Sequence, residues 1–262
     1  MQNRIDTTFA KLRDQNRKGF MAYITGGDPT LKRTVEIAVA LEDAGVNFLE
    51  IGIPFSDPLA DGIANQLGAQ RALAAGTNVR SLLQSVAAIR QRTQIPLVLY
   101  GYLNPLFQYG LSRFEQDAAN AGVDGLLLLD FPPDEASLAT ETGVHRIRLV
   151  APTTSESRIA RIVSQASGFI YYVSREGVTG ERSDVSQGIN EQVARIRKYT
   201  DLPVAVGFGI STPDQARTVA QLADAVVVGS AIVRRIGEIG DTDTLAKQIG
   251  VFVRPLVSAV ES

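Results

Sequence analysis

Short apolar, β-branched runs recur along this chain at intervals of roughly 20 to 40 residues, the length of one strand–helix unit. They fall at Phe20–Thr25, Val46–Ile51, Pro96–Tyr100, Gly125–Leu129, Arg146–Val150, Phe169–Val173, Val204–Val206 and Ala225–Val228. Each follows a Gly or Pro signal and leads through a loop into a polar–apolar stretch of helical period. Those stretches predict helices near 30–44, 78–93, 111–121, 134–142, 155–166, 189–199, 212–222 and 243–260. At Ala44-Gly45-Val46-Asn47 and Ala121-Gly122-Val123-Asp124, glycine stands where a helix C-cap favours it.

The runs are apolar on both faces, as in Leu126-Leu127-Leu128-Leu129 and Ala225-Val226-Val227-Val228. Strands of that kind are parallel and covered on both sides. Eight of them alternating with helices predict an α/β chain folded as a (β/α)8 TIM barrel. An open doubly wound sheet is the alternative, because spacing alone does not prove closure. An extra N-terminal helix is expected at Asp6–Gln15, and a short helical insertion at 63–75 after the second strand. Without an internal linker or low-complexity tract, residues 1–262 are expected to form a single barrel domain.

Composition narrows the chemistry. A formal net charge of −2 gives no basic field for nucleic acid or an anionic membrane. One His and no Cys leave no material for a Cys/His zinc site, a thiol nucleophile, a disulfide or a His-based triad. The start, Met1-Gln2-Asn3-Arg4-Ile5-Asp6, does not resemble a signal peptide. No run reaches the roughly 18 apolar residues of a membrane span. A cytoplasmic location is therefore expected. Chemistry is left to carboxylates, hydroxyls and backbone amides.

Barrel chemistry gathers where the strands end. The second strand ends Leu49-Glu50-Ile51-Gly52-Ile53, with a carboxylate inside an apolar run, and leads into Pro54-Phe55-Ser56-Asp57-Pro58-Leu59-Ala60-Asp61-Gly62. Glu50, with Phe48 on the same face, is a candidate general acid/base, or else a structural Glu satisfied by nearby donors. Asp61 lies over the same mouth, though Asp-Gly and Asp-Pro also favour plain turns. Gly207, Gly209 and Gly229 admit backbone amides close to an anion, with a short helix starting near Ser230; they equally suit tight turns. Asp130 is placed to cap the next helix or brace the site. His145 falls at the far end, as a surface or packing residue. Lys11, Lys18, Lys32, Lys198 and Lys247 end no strand, which disfavours a Schiff base. What remains is acid/base chemistry on a substrate that accepts its own electrons.

The block Phe48–Gly62 resembles the signature of the tryptophan synthase alpha chain family. So do Tyr23-Ile24-Thr25-Gly26-Gly27-Asp28-Pro29, Ser174-Arg175-Glu176-Gly177-Val178-Thr179-Gly180, Gly207-Phe208-Gly209-Ile210-Ser211 and Gly229-Ser230-Ala231-Ile232-Val233. The resemblance implies a lyase that cleaves indole-3-glycerol phosphate to indole and glyceraldehyde 3-phosphate. By it, Glu50 matches the general acid/base, and Asp61 the carboxylate that accepts the indole N–H. Tyr23, Tyr100, Leu127, Tyr171 and Phe208 match positions lining the indole pocket. Gly180, Gly209, Gly229 and Ser230 match the phosphate site, and Thr179 a residue of the closing sixth loop.

The chain departs from the family at Ile63, where Pro is usual, and carries hydroxyls at Tyr23 and Tyr100, where other members can carry Phe or Leu. The resemblance also implies a beta chain partner in an alpha2beta2 complex. That partner would use pyridoxal phosphate and receive the indole, with Asp57 at the contact; no cofactor is expected in this chain. Three other readings stay open: a stand-alone lyase releasing indole, a phosphosugar isomerase on the same barrel, and a non-catalytic barrel that gates a partner enzyme.

Overall fold

A computed structural model describes residues 3–131, 142–173, 182–207 and 209–261. Eight parallel strands close into a barrel in sequence order: β1 Gly19–Thr25, β2 Phe48–Gly52, β3 Leu97–Gly101, β4 Gly125–Leu128, β5 His145–Val150, β6 Ile170–Val173, β7 Val204–Gly207 and β8 Ala225–Val228. The helices are α1 Arg4–Asp14, α2 Leu31–Asp43, α3 Ile63–Ala74, α4 Val79–Arg90, α5 Leu103–Tyr109, α6 Leu111–Ala121, α7 Glu156–Val163, α8 Arg182–Arg197, α9 Pro213–Ala220, α10 Ser230–Ile239 and α11 Leu245–Glu261. Pairing of β8 with β1, Gly19 beside Ala225, closes the sheet and settles the barrel over the open sheet. The helix expected at 134–142 lies almost wholly outside the described residues.

Alternation within each strand sorts side chains into two cores. Leu49 and Ile51 of β2 point outward into the large core shared with the helices, while Phe48 points inward. The inner core is filled by Met21, Val98, Leu127, Ile147, Ala205 and Val227. Its floor is closed by α1, whose buried Ile5, Phe9 and Leu12 lie one helical turn apart. Phe9 meets Phe48 at 4.5 Å and Phe169 at 5.8 Å between ring centroids. Asn3 starts that helix by accepting the Ile5 amide, and its own amide group donates to the Asp124 and Gly143 carbonyls.

The floor also carries a repeated clamp. Asn47, Asp124, Ser167 and Asp224 each precede an even-numbered strand and bond the odd-numbered strand before it. Their side-chain oxygens accept the amides of Phe20, Leu97, Arg146 and Val204 at 2.8, 2.8, 2.8 and 2.9 Å. Their own amides donate to the carbonyls of the same four residues. Each clamp therefore uses both backbone groups at the start of a strand and fixes the register of a strand pair at its N-terminal end.

Two expectations need correction. Val46 belongs to a helix cap, not to β2: its amide bonds the Leu41 carbonyl while Gly45, at φ +94°, bonds Glu42. Gly122 at φ +89° repeats that cap after α6. The second correction is α5, a seven-residue helix whose Pro105 and polar residues disguise it as loop. Its first amide, Leu103 N, donates to Asp130 Oδ1 at 2.7 Å, so Asp130 caps this preceding helix. His145 opens β5 at the floor and bonds Asp6 at 2.8 Å, which makes it a staple for α1.

Candidate active site

The inward positions nearest the strand C-termini change character, from hydrocarbon to phenol and carboxylate. On β2 the inward sequence runs Phe48, Glu50, Gly52, so Glu50 stands one layer above the aromatic floor. In the sheet it lies beside Tyr23 of β1 and Val98 of β3. Glu50 is fully buried, and neither of its carboxylate oxygens has a hydrogen-bond partner among the described residues. Burial, helped by the charge of Asp61, pushes its pKa up from 4.5 to about 8. An ionised carboxylate with no donor is costly in such a place, so the acid form prevails at neutral pH.

Asp61 is held differently. It ends the loop after β2, where its amide bonds the Pro58 carbonyl. Tyr100 Oη donates to Oδ1 at 2.8 Å and Tyr102 Oη to Oδ2 at 3.0 Å. Burial raises its pKa, while the bonds from Tyr100, Tyr102 and Asn65 pull it back down. Two carboxylates thus share one mouth with opposite hydrogen-bond inventories. Such a pair separates an acid from an anion.

Phenols complete the wall. Tyr23 and Tyr100 meet edge to face at 5.2 Å, and Tyr23 and Tyr171 are almost wholly buried. Burial first, then neighbouring carboxylates, push all three phenols up, so they remain neutral donors. Glycines at the strand ends make room for them. A Cβ at Gly52 would lie 2.2 Å from Tyr23 Oη, and one at Gly207 2.7 Å from Tyr171 Oη. Gly207 therefore has a packing reason in addition to any part in a turn. Leu127, fully buried, lies beside Tyr100 in the sheet.

At the adjoining edge of the mouth, α10 begins directly after β8. Gly229 is its N-cap, and the Gly229 carbonyl accepts the amides of Ile232 and Val233. The earlier amides of that turn, at Ser230 and Ala231, cannot be satisfied within the helix and lie at its positive end. Gly209, at φ +60°, lies after β7. Thr179, Gly180 and Phe208 lie outside the described residues.

Tyr102 escaped the sequence reading. The signal was available, because Val98, Tyr100 and Tyr102 follow the strand period of two and face one side. The Ile63 departure also has a local counterpart. Ile63 starts α3 and is exposed, while Gln66, one turn later, donates through Nε2 to the Asp61 carbonyl at 2.8 Å. A side chain thus holds the loop's exit. Among the described residues no group of His, Cys, Asp and Glu is arranged to hold a metal ion, and no helix is long and apolar enough to cross a membrane.

A closed (β/α)8 barrel with a bare, buried Glu and a phenol-bonded Asp at its strand ends defines an acid/base enzyme of the barrel class. The comparisons with known proteins make the class particular. Residues 9–261 match the family model described as tryptophan synthase alpha chain. The alpha chain of Geotalea daltonii is 47% identical over 263 residues, 99% of this chain and 98% of that one. That of Geobacter sulfurreducens is 47% identical, covering 98% and 99%. The solved alpha subunit from Legionella pneumophila superposes with a TM-score of 0.90 at 37% identity, covering 99% of both chains. A Mycobacterium tuberculosis tryptophan synthase structure gives 0.90 at 35%, covering all of both. The chain belongs to the tryptophan synthase alpha chain family, and the isomerase reading falls with that.

Proposed function

We propose that Glu50 and Asp61 divide the acid/base work of the alpha-chain reaction, cleavage of indole-3-glycerol phosphate to indole and glyceraldehyde 3-phosphate. The observation that carries this is the contrast in donors: none for Glu50 among the described residues, two phenols for Asp61. Protonated Glu50 delivers its proton to the indole carbon bearing the glyceryl chain. The ring becomes an indolenine cation, and ionised Asp61 accepts its N–H and stabilises the positive charge. The Glu50 carboxylate then takes the proton of the glyceryl hydroxyl. That oxygen becomes the aldehyde, the carbon–carbon bond breaks, and its electron pair returns to the ring. Indole leaves and Glu50 is again protonated, so the ring itself is the electron sink.

Tyr23, Tyr100, Leu127 and Tyr171 form the ring's wall in this reading, with Phe208 and Thr179 assigned by family resemblance. The phosphate goes to the amides at Gly209, Gly229 and Ser230, with Gly180 added by resemblance, at the start of α10.

The proposal extends to an alpha2beta2 complex in the cytoplasm, whose beta chain holds pyridoxal phosphate and consumes the indole. Leu59, Ile63 and Phe107 support it. They lie on the loop after β2, on α3 and on α5, and are 93%, 76% and 65% exposed. Large apolar side chains left bare at a mouth suit a partner surface. Asp57 stands in the same loop. The test is indole release from the phosphorylated substrate with and without beta chain. Faster release with the partner supports the complex; equal, high release alone favours the stand-alone lyase, and no release in either arm overturns the reading.

A further inference from the structure

The hydroxyl of Tyr100 points away from the role its ring suggests. A wall for an indole needs only an aromatic face, which Phe would supply. Here the hydroxyl is turned onto a carboxylate oxygen of Asp61 at 2.8 Å. The ring packs edge to face against Tyr23 at 5.2 Å while its hydroxyl makes that bond.

Tyr102 binds the other oxygen but has a second duty, since its hydroxyl accepts the Ala60 amide at 3.0 Å. It therefore belongs to the loop as much as to the carboxylate. For the Tyr100 hydroxyl, the Asp61 carboxylate is the hydrogen-bond partner the structure shows.

We propose that Tyr100 is a positioning residue for the cleavage reaction, its hydroxyl holding the Asp61 carboxylate in one orientation and in its acceptor form. The inference rests on Asp61 having the role assigned above. An ionised carboxylate offers about four acceptor sites over two oxygens. The two phenols take one on each oxygen and the Asn65 side chain also bonds the carboxylate, which still leaves an acceptor site for an incoming N–H. Without such donors a carboxylate this deeply placed is driven toward its neutral acid, which cannot accept an N–H on its protonated oxygen in the same way. Glu50, in the same mouth with no donor, shows what that environment does to a bare carboxylate.

Among the described residues the titratable groups around Asp61 are these. Glu50 faces it from β2, Tyr23 from β1, Tyr100 and Tyr102 from β3 and its end, and Tyr171 from β6. Burial favours the neutral forms of Glu50 and of the phenols, so the donors Asp61 keeps weigh most on its charge. Removing one donor raises its pKa, and the acid limb of the rate profile follows it to higher pH.

The experiment is the pH profile of kcat/KM for indole release by wild type, Tyr100→Phe, Tyr102→Phe and Tyr23→Phe. Loss of a hydrogen bond to a charged group predicts a kcat about tenfold lower in Tyr100→Phe, with KM changed by less than about twofold. Its acid limb moves up by about one pH unit. Tyr102→Phe shows the same displacement together with a raised KM, since the loop loses its Ala60 tie. Tyr23→Phe deletes a hydroxyl of the same wall that makes no hydrogen bond to Asp61, so KM can change while the acid limb stays with wild type. A Tyr100→Phe enzyme whose acid limb stays with wild type while only KM changes would overturn the proposal and leave Tyr100 as pocket wall. If wild type itself releases no indole, the underlying assignment fails instead, and the wild-type curve alone reveals that.

Discussion

Asp124 and Glu50 lie at opposite ends of one barrel and are almost equally hidden from water, yet the chain surrounds them in opposite ways. Asp124, at the floor, has its side chain 3% exposed. One of its oxygens accepts Arg4 Nη1 at 3.0 Å; the other accepts Arg90 Nη2 at 2.7 Å and the Leu97 amide at 2.8 Å. Glu50, at the mouth, is 0% exposed and has no such partner among the described residues. Burial alone therefore does not mark a functional carboxylate. The donor inventory separates these two: Asp124 is tied to two guanidiniums and a strand amide, while Glu50, with no donor among the described residues, is pushed toward its acid form.

The widest test of this contrast is Glu50→Gln. Loss of a general acid/base predicts turnover falling by roughly a thousandfold. Binding of substrate survives, because the ring wall and α10 are untouched. The same change acts on stability with a definite sign. Glu50 has a folded-state pKa of about 8 against an ordinary 4.5. The folded state thus binds the extra proton across that window, and stability is lost as pH rises from about 4.5 through about 8. Glu50→Gln removes that slope, so urea midpoints for wild type and variant should diverge toward pH 8 in the variant's favour. A variant that unfolds at lower urea than wild type at pH 8 would place Glu50 with Asp124 among structural acids.

A second test uses the wild type alone. Catalysis that begins from protonated Glu50 loses rate as that acid ionises, giving an alkaline limb in kcat/KM near pH 8. Glu50→Gln has no group to titrate there, and its residual rate should run flat through that range. An alkaline limb that persists in the variant would reassign it to another group.

Most of the barrel was legible along the chain, because strand burial on two faces and helix amphipathicity are local patterns. The eight runs, the α1 plug and the α3 insertion followed from them. The misreadings have local causes too: Val46 looks like strand but closes a helix, and α5 hides behind a proline. The site was legible in part. Glu50 stands out as a charge in an apolar run, whereas Tyr102, which the strand period marks, was missed. Asp61's two phenols and Asp124's two guanidiniums come from residues roughly 30 to 120 positions away, and no local pattern reports bonds made across the barrel.

At the floor the expected effect is smaller and of another kind. Asp124→Ala takes the counter-charge from Arg90, whose side chain is only 12% exposed and keeps its bonds to the Gly122, Thr93 and Ile95 carbonyls, and deletes the acceptor of the Leu97 amide. Breaking a buried, hydrogen-bonded pair predicts a loss of about 3–5 kcal/mol in urea unfolding. The folded enzyme should keep kcat within about twofold, since Asp124 touches nothing at the mouth. A large fall in kcat at full folding would show that the two ends are coupled and that the contrast between them is too simple.

The smallest effect comes from Ser167, one of the two neutral members of the floor clamps. Ser167 makes the same two backbone bonds as Asp124, accepting the Arg146 amide at 2.8 Å and donating its own amide to the Arg146 carbonyl at 2.9 Å. Ser167→Ala removes only the first of these and leaves no buried charge behind. The cost should then be that of one neutral hydrogen bond, about 1 kcal/mol, or an unfolding midpoint lower by a few degrees. If clamp geometry dominated, Ser167→Ala and Asp124→Ala would cost nearly the same. A several-fold gap between them assigns most of the Asp124 effect to its guanidinium partners. The clamp then sets register in all four strand pairs, while charge fixes how firmly the β3–β4 pair is held.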